Sequence, residues 1–146
     1  MKTVIVYYTF GGNTKKEAER LAAKLSAPLF RVKEKRRRSV ITSFVPGCIS
    51  AMGRKAVSII RPDVDLKEYD RIIIGCPVWA GSPAPAFNSI VKLLPEGKEV
   101  DLFFCSGSGD IQKSEPGTIE LIEKRGCTVT SCRNIRTDSK PKKLKE

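Results

Sequence analysis

Five short runs of β-branched and aromatic residues alternate with helical stretches along the chain, and no other feature restricts its fold as strongly. Residues 3–8, 29–32, 71–76, 100–105 and 127–135 read as strands. Ile72-Ile73-Ile74 is apolar at consecutive positions, as a strand covered on both faces requires. Between the strands, residues 14–25 place Ala18, Leu21, Ala22 and Leu25 on one helical face, and Thr14 with Glu17 has the spacing of a capping box. A further helix is expected over residues 46–60, ended by Pro62. The segment bearing Phe87, Ile90, Val91 and Leu94 and residues 118–125 complete the helices. Residues 33–39, 77–85 and 106–116 read as loops. Strand–helix alternation implies an α/β fold with a parallel sheet and right-handed crossovers.

The 146 residues fit one domain, expected over residues 1–136, with residues 137–146 a basic tail. The apolar run near Met1 is too short for a signal-peptide core, and none approaches a membrane span, so a cytoplasmic protein is expected. Cys48, Cys76, Cys105, Cys127 and Cys132 are odd in number and form no C-x-x-C pair, which suits free thiols in a reducing compartment. Cys76 and Cys105 read as small buried hydrophobes, and Cys127 and Cys132, at odd spacing on one strand, should face opposite sides of it. The absence of histidine removes His-based acid–base chemistry and His metal sites.

Three loops follow strands, where open α/β sheets bind ligands. Thr9-Phe10-Gly11-Gly12-Asn13-Thr14 joins a buried strand to a helix N-terminus. Its glycines allow a tight curl, and its side chains and free helix N–H groups offer donors, so a phosphate is the natural guest. A bound dianion would also relieve Lys15 and Lys16, which oppose the helix dipole. No Walker A pattern is present. Pro77-Val78-Trp79-Ala80-Gly81 carries the only tryptophan, in a Pro/Gly-rich loop suited to holding a flat ring. Gly75 and Gly81 would let main chain approach that ring's edge. Ser106-Gly107-Ser108-Gly109-Asp110 contains G-x-G, but Gln112 stands where a dinucleotide fingerprint needs glycine.

The first loop, T-x-x-G-N-T, resembles the phosphate loop of the flavodoxin family. Gly75-Cys-Pro77-Val-Trp79-Ala-Gly81-Ser-Pro-Ala-Pro85 resembles the G-x-P-x-W-x-G-x-x-P-P segment of its short members, and Ser106–Asp110 stands where that family closes over the flavin ring. The resemblance covers roughly residues 1–135. It implies a doubly wound, five-stranded sheet in the order 2-1-3-4-5, with FMN as cofactor: phosphate on Thr9–Thr14, ring against Trp79, and ring edge on Ser106–Asp110. It also implies a redox role, as electron carrier or small quinone-type reductase, with a partner protein or NAD(P)H and a quinone-type molecule as reactants. Two features depart from the family. The third loop lacks an aromatic residue, leaving one ring face open or covered by Ile111. The last helix is short or absent, which leaves monomer and homodimer both open.

The net charge of +11 favours anionic partners. Its densest run, Lys33-Glu-Lys-Arg36-Arg37-Arg38, reads as a solvated face guarding an edge strand. A docking patch in a flavodoxin-fold binding module is the alternative function. No aromatics interleave with the run, which argues against nucleic acid.

Overall fold

The computed structural model describes residues 1–35, 56–107 and 111–137. Its main sheet runs β2 (Leu29–Arg31), β1 (Thr3–Tyr7), β5 (Arg71–Trp79), β7 (Glu99–Ser106) and β8 (Thr128–Arg136), all parallel. This is the order 2-1-3-4-5 expected of the five long runs. Helix α1 (Asn13–Leu25) packs on one face, over Ile5, Tyr7, Ile73, Phe103 and Cys105. Helices α2 (Pro85–Val91) and α3 (Glu115–Glu123) cover the other, where Phe87, Ile90 and Ile122 meet Val4, Val6, Ile72, Ile74, Leu102 and Phe104. Consecutive apolar residues in β1, β5 and β7 therefore feed two cores at once, which is what doubly wound sheets demand. No helix among the described residues is long and apolar enough to cross a membrane.

Several expected boundaries move for identifiable reasons. The third long strand runs on to Trp79 because β6 (Ser82–Pro83) pairs back antiparallel on its end, Val78 opposite Pro83 and Trp79 opposite Ser82. Part of the expected 77–85 loop is thus a hairpin. Helix α3 begins at Glu115 rather than at residue 118, because Pro116 fits the first helical turn.

Residues 33–39 do not form a loop throughout. β3 (Lys33–Glu34) pairs antiparallel with β4 (Ile59–Ile60), so Ile59 and Ile60 do not end a helix. Ile59 packs on the core while Ile60 is exposed, an alternation with the period of a strand. Residues 56–58 are irregular and not helical, and the rest of that expectation, residues 46–55, lies outside the described residues, as do Arg36 to Arg38 and the tail beyond Thr137, so the shortness of the last helix does too.

The capping box does not form. The α1 N-cap is Gly12, and no side chain caps it. Thr14 is buried, with its hydroxyl hydrogen-bonded to the Cys105 thiol. Glu17 bonds Arg20 at 2.7 Å instead and lies 3.8 Å from Arg133 of β8. Chiefly through the Arg20 hydrogen bond, its carboxyl is held below its ordinary range, against an opposing push from burial. A carboxylate with a depressed folded pKa stabilises the fold above its unfolded pKa, and that share is lost as pH falls through the folded value. Urea unfolding at stepped pH should therefore show wild type losing more stability than Glu17→Gln below pH ~4.5. The difference should be small, because Arg20 is exposed. Parallel profiles would refute it.

Cys127 and Cys132 do not face opposite sides. Val100 pairs with Val129 but Asp101 with Ser131, so Thr130 is an extra, bulged residue. The bulge shifts the alternation by one, and both cysteines pack on the same core. Thr130 donates its hydroxyl to the buried Asp101 carboxylate, which also accepts from Arg71. The four described cysteines are free. Cys105 is in register with Pro77, so Cys76 and Cys105 point to opposite faces of the sheet and cannot bond to each other.

Candidate functional site

The three loops leave adjacent strands, β1, β5 and β7, at their carboxyl ends. In the first, Gly11 and Gly12 take φ of 104° and 103°, a region that a side chain makes costly. They turn the chain so that the Gly12 N–H donates to Thr9 Oγ1 at 3.1 Å. Thr9 is buried, Gly11 and Asn13 are exposed, and Thr14 is turned into the core toward Cys105. What the loop offers a ligand is thus main chain and Asn13. With no side-chain cap on α1, the N–H groups of its first turn suit an anion.

In the second loop, Ala80 and Gly81 close the β5–β6 hairpin with φ of 53° and 82°. Two positive values are the mark of a type I′ turn, whose twist matches the strands it joins. Pro77 and Val78 are half-buried and Ala80 is exposed. Trp79 is only 9% exposed. Phe10 meets its ring edge-on at 5.6 Å and 82°, and Tyr8 does so at 6.3 Å and 76°. The first two loops are therefore joined through aromatic contacts, and Phe10 shares with Trp79 the wall between them.

In the third, Ser106 is buried and Gly107 exposed, while Ser108, Gly109 and Asp110 lie outside the described residues. Ile111 is buried in the same core as Trp79. Burial pushes the Cys76 thiol far up, and it raises Cys105 as well. Neither is a ready nucleophile.

Two residues that sequence reasoning missed hold these loops. Ser114, just before α3, donates its hydroxyl to the Gly81 carbonyl at 2.6 Å, tying the third loop to the hairpin. Asn134 of β8 spans the third loop's two ends: its Oδ1 accepts from the Ile111 N–H at 3.2 Å and its Nδ2 donates to Ser106 Oγ at 3.1 Å. The one available signal was an amide inside an otherwise strand-like run. Asn134→Ala should weaken any ligand of this loop by about fivefold to 150-fold, since two hydrogen bonds worth ~0.5–1.5 kcal/mol each no longer order it. Titration against wild type checks this, and an unchanged affinity would show that the clamp is dispensable.

No family model matches the sequence. An uncharacterized protein of Archaeoglobus fulgidus is 28% identical over 109 residues, 73% of this chain and 66% of that protein, so the match spans less than two thirds of that relative. Among solved structures, the flavoprotein of Lactobacillus acidophilus NCFM, in complex with FMN, is 27% identical with a TM-score of 0.73, over 91% of this chain and 92% of its own. Oxidised flavodoxin 1 of Bacillus cereus, at 17% identity and a TM-score of 0.53 over 95% of this chain and 88% of its own, shares the fold. The chain thus has a flavodoxin-like fold and is similar in sequence to a solved flavoprotein.

Proposed function

We propose that this chain binds FMN and works as a redox protein, either an electron carrier or a small flavin-dependent reductase of the quinone type. The observation that carries the reading is an uncapped helix start, formed by two positive-φ glycines, directly beside the aromatic wall of Phe10 and Trp79. One end suits a phosphate and the other a flat ring, which are the two ends of FMN. The likeness to a flavoprotein solved with FMN supports it.

In this reading main chain from Thr9 to Thr14 and the Asn13 side chain hold the phosphate. Phe10, Trp79 and the hairpin from Pro77 to Gly81 position the ring. Ser106 and Gly107, with the Ser108–Asp110 segment, bound its far edge. Bound FMN supplies the electron transfer, and the protein supplies position and electrostatics. With no histidine in the chain and both strand-end thiols held protonated by burial, no side chain is needed as acid, base or nucleophile.

Visible-spectrum titration of the flavin-free protein with FMN tests this. A one-to-one complex with Kd below ~1 μM is expected, and no saturable complex would end the proposal. Stopped-flow reduction by NADH or NADPH, with and without a quinone, then separates reductase from carrier. Fast reduction marks a reductase. Slow reduction marks a carrier fed by a partner protein.

A further inference from the structure

A cavity of about 620 Å³ opens on the β2 side of the first loop, away from the hairpin and the third loop. It is lined by Tyr8, Thr9, Phe10 and Gly11 on one side, by residues 31–35 on the other, and by Ile60. It shares Thr9, Phe10 and Gly11 with the place argued above for FMN, but Gly12, Asn13, Thr14, Trp79 and Ser106 do not line it, so it adjoins that place from the β2 side rather than coinciding with it. Its volume lies within the range of small-molecule sites.

The chemistry of its walls is uneven. Arg31, Lys33 and Lys35 alternate along the chain with the buried Val32 and half-buried Glu34. In an extended segment this spacing puts the three cations on one side, about 6.7 Å apart. The segment is held on both edges. The Val32 N–H donates to the Tyr7 carbonyl at 2.8 Å, and the Lys35 N–H donates to the Ser58 carbonyl at 3.0 Å. Between these bonds the chain leaves the main sheet to pair Lys33 and Glu34 with β4. The cations thus stand on fixed backbone, three against the single carboxylate of Glu34. Beside Lys33 stands its strand partner Ile60, 54% accessible although large and apolar, and the half-buried Phe10 lines the same cavity. A basic rail with an aromatic and an aliphatic side chain in the same cavity selects a molecule with an anionic end and a flat or apolar body.

We propose that this cavity is a second ligand site, for a molecule of the nucleotide class whose phosphates lie on Arg31, Lys33 and Lys35 and whose ring lies against Phe10 and Ile60. The site itself does not depend on flavin binding. Its use, as the seat of a nucleotide-borne reductant beside the flavin, does rest on the proposed redox function. A concave site of this size favours a small molecule over an acidic protein surface.

The test is calorimetric titration of the full chain with ADP, run once on protein loaded with FMN and once on protein without it. Saturable binding below ~1 mM in both is expected. The variant Arg31→Ala/Lys33→Ala/Lys35→Ala should bind ADP at least about tenfold more weakly. A control that removes three cations not lining the cavity, Lys24→Ala/Lys92→Ala/Lys113→Ala, should stay within about threefold of wild type. Ile60→Ser should weaken ADP but not inorganic pyrophosphate. The proposal falls if ADP does not bind, if the control triple weakens it equally, or if pyrophosphate binds as tightly as ADP, since charge alone would then suffice. Failure of the protein to take up FMN would overturn the redox function and leave the ADP result standing.

Discussion

Gly75→Ala should lower the stability of the protein by about 2–3 kcal/mol, and Gly75→Val should prevent folding at 37 °C. Gly75 and Phe103 are partners on neighbouring strands, and the Phe103 ring lies across the space a side chain at 75 would need. A Cβ there would sit 2.1 Å from one ring carbon and 2.5 and 2.6 Å from two others, far inside contact distance. The ring cannot yield cheaply. It is fully buried among Ile5, Ile73, Leu21 and Cys105, and the Arg133 guanidinium lies 5.9 Å over it. Thermal or denaturant unfolding reads the loss. A double-mutant cycle assigns its cause: Phe103→Leu alone removes buried volume and costs about 1–2 kcal/mol, yet in the Gly75→Ala background it should recover stability. If the two costs simply add, the clash is not the reason. The same geometry revises the role of this glycine. The sequence suggested that Gly75 lets main chain approach a flavin ring, whereas its missing side chain makes room for a phenylalanine in the core under α1.

What could be read before the structure depended on how local the cause was. The parallel sheet and its order were legible because β1, β5 and β7 are long apolar runs separated by helical periods or Gly/Pro loops. The antiparallel pair of β3 and β4 was not, since two residues per strand carry no usable period, and the pairing joins positions 33 and 60. Thr14 and Glu17 match a capping box locally, but a long-range partner, Cys105, takes the threonine, and Arg20 takes the glutamate. Cys127 and Cys132 defeated simple alternation because Thr130 bulges to reach Asp101, 29 residues earlier and bound to Arg71. The loops of the candidate site showed themselves through glycine, proline and position after a strand. The clamps did not, because Asn134 and Ser114 act across strands, and nothing near them in sequence marks the partner.

Replacing Gly11 and Gly12 together by alanine should raise the Kd for FMN by about 30-fold to 1,000-fold while changing riboflavin binding only a few fold. Each glycine sits near φ 104°, where an L residue costs roughly 1–2 kcal/mol, so the pair costs ~2–4 kcal/mol. A Cβ at either position would meet nothing within 4 Å, so the penalty is one of backbone conformation and not of crowding. The loop is exposed at Gly11 and tied inward mainly by the Gly12–Thr9 hydrogen bond, and without ligand the variant can relax. Its cost then appears on binding, when the helix start has to be remade around a phosphate. Riboflavin has the same ring but no phosphate and therefore escapes that cost. Fluorescence titration with the two flavins reads the contrast. Wild type should prefer FMN strongly, and the double variant should lose most of that preference with little change in unfolding midpoint. Equal weakening of both flavins would mean that the glycines shape the ring site through Phe10, whose ring meets Trp79, and the phosphate would then have to be sought elsewhere.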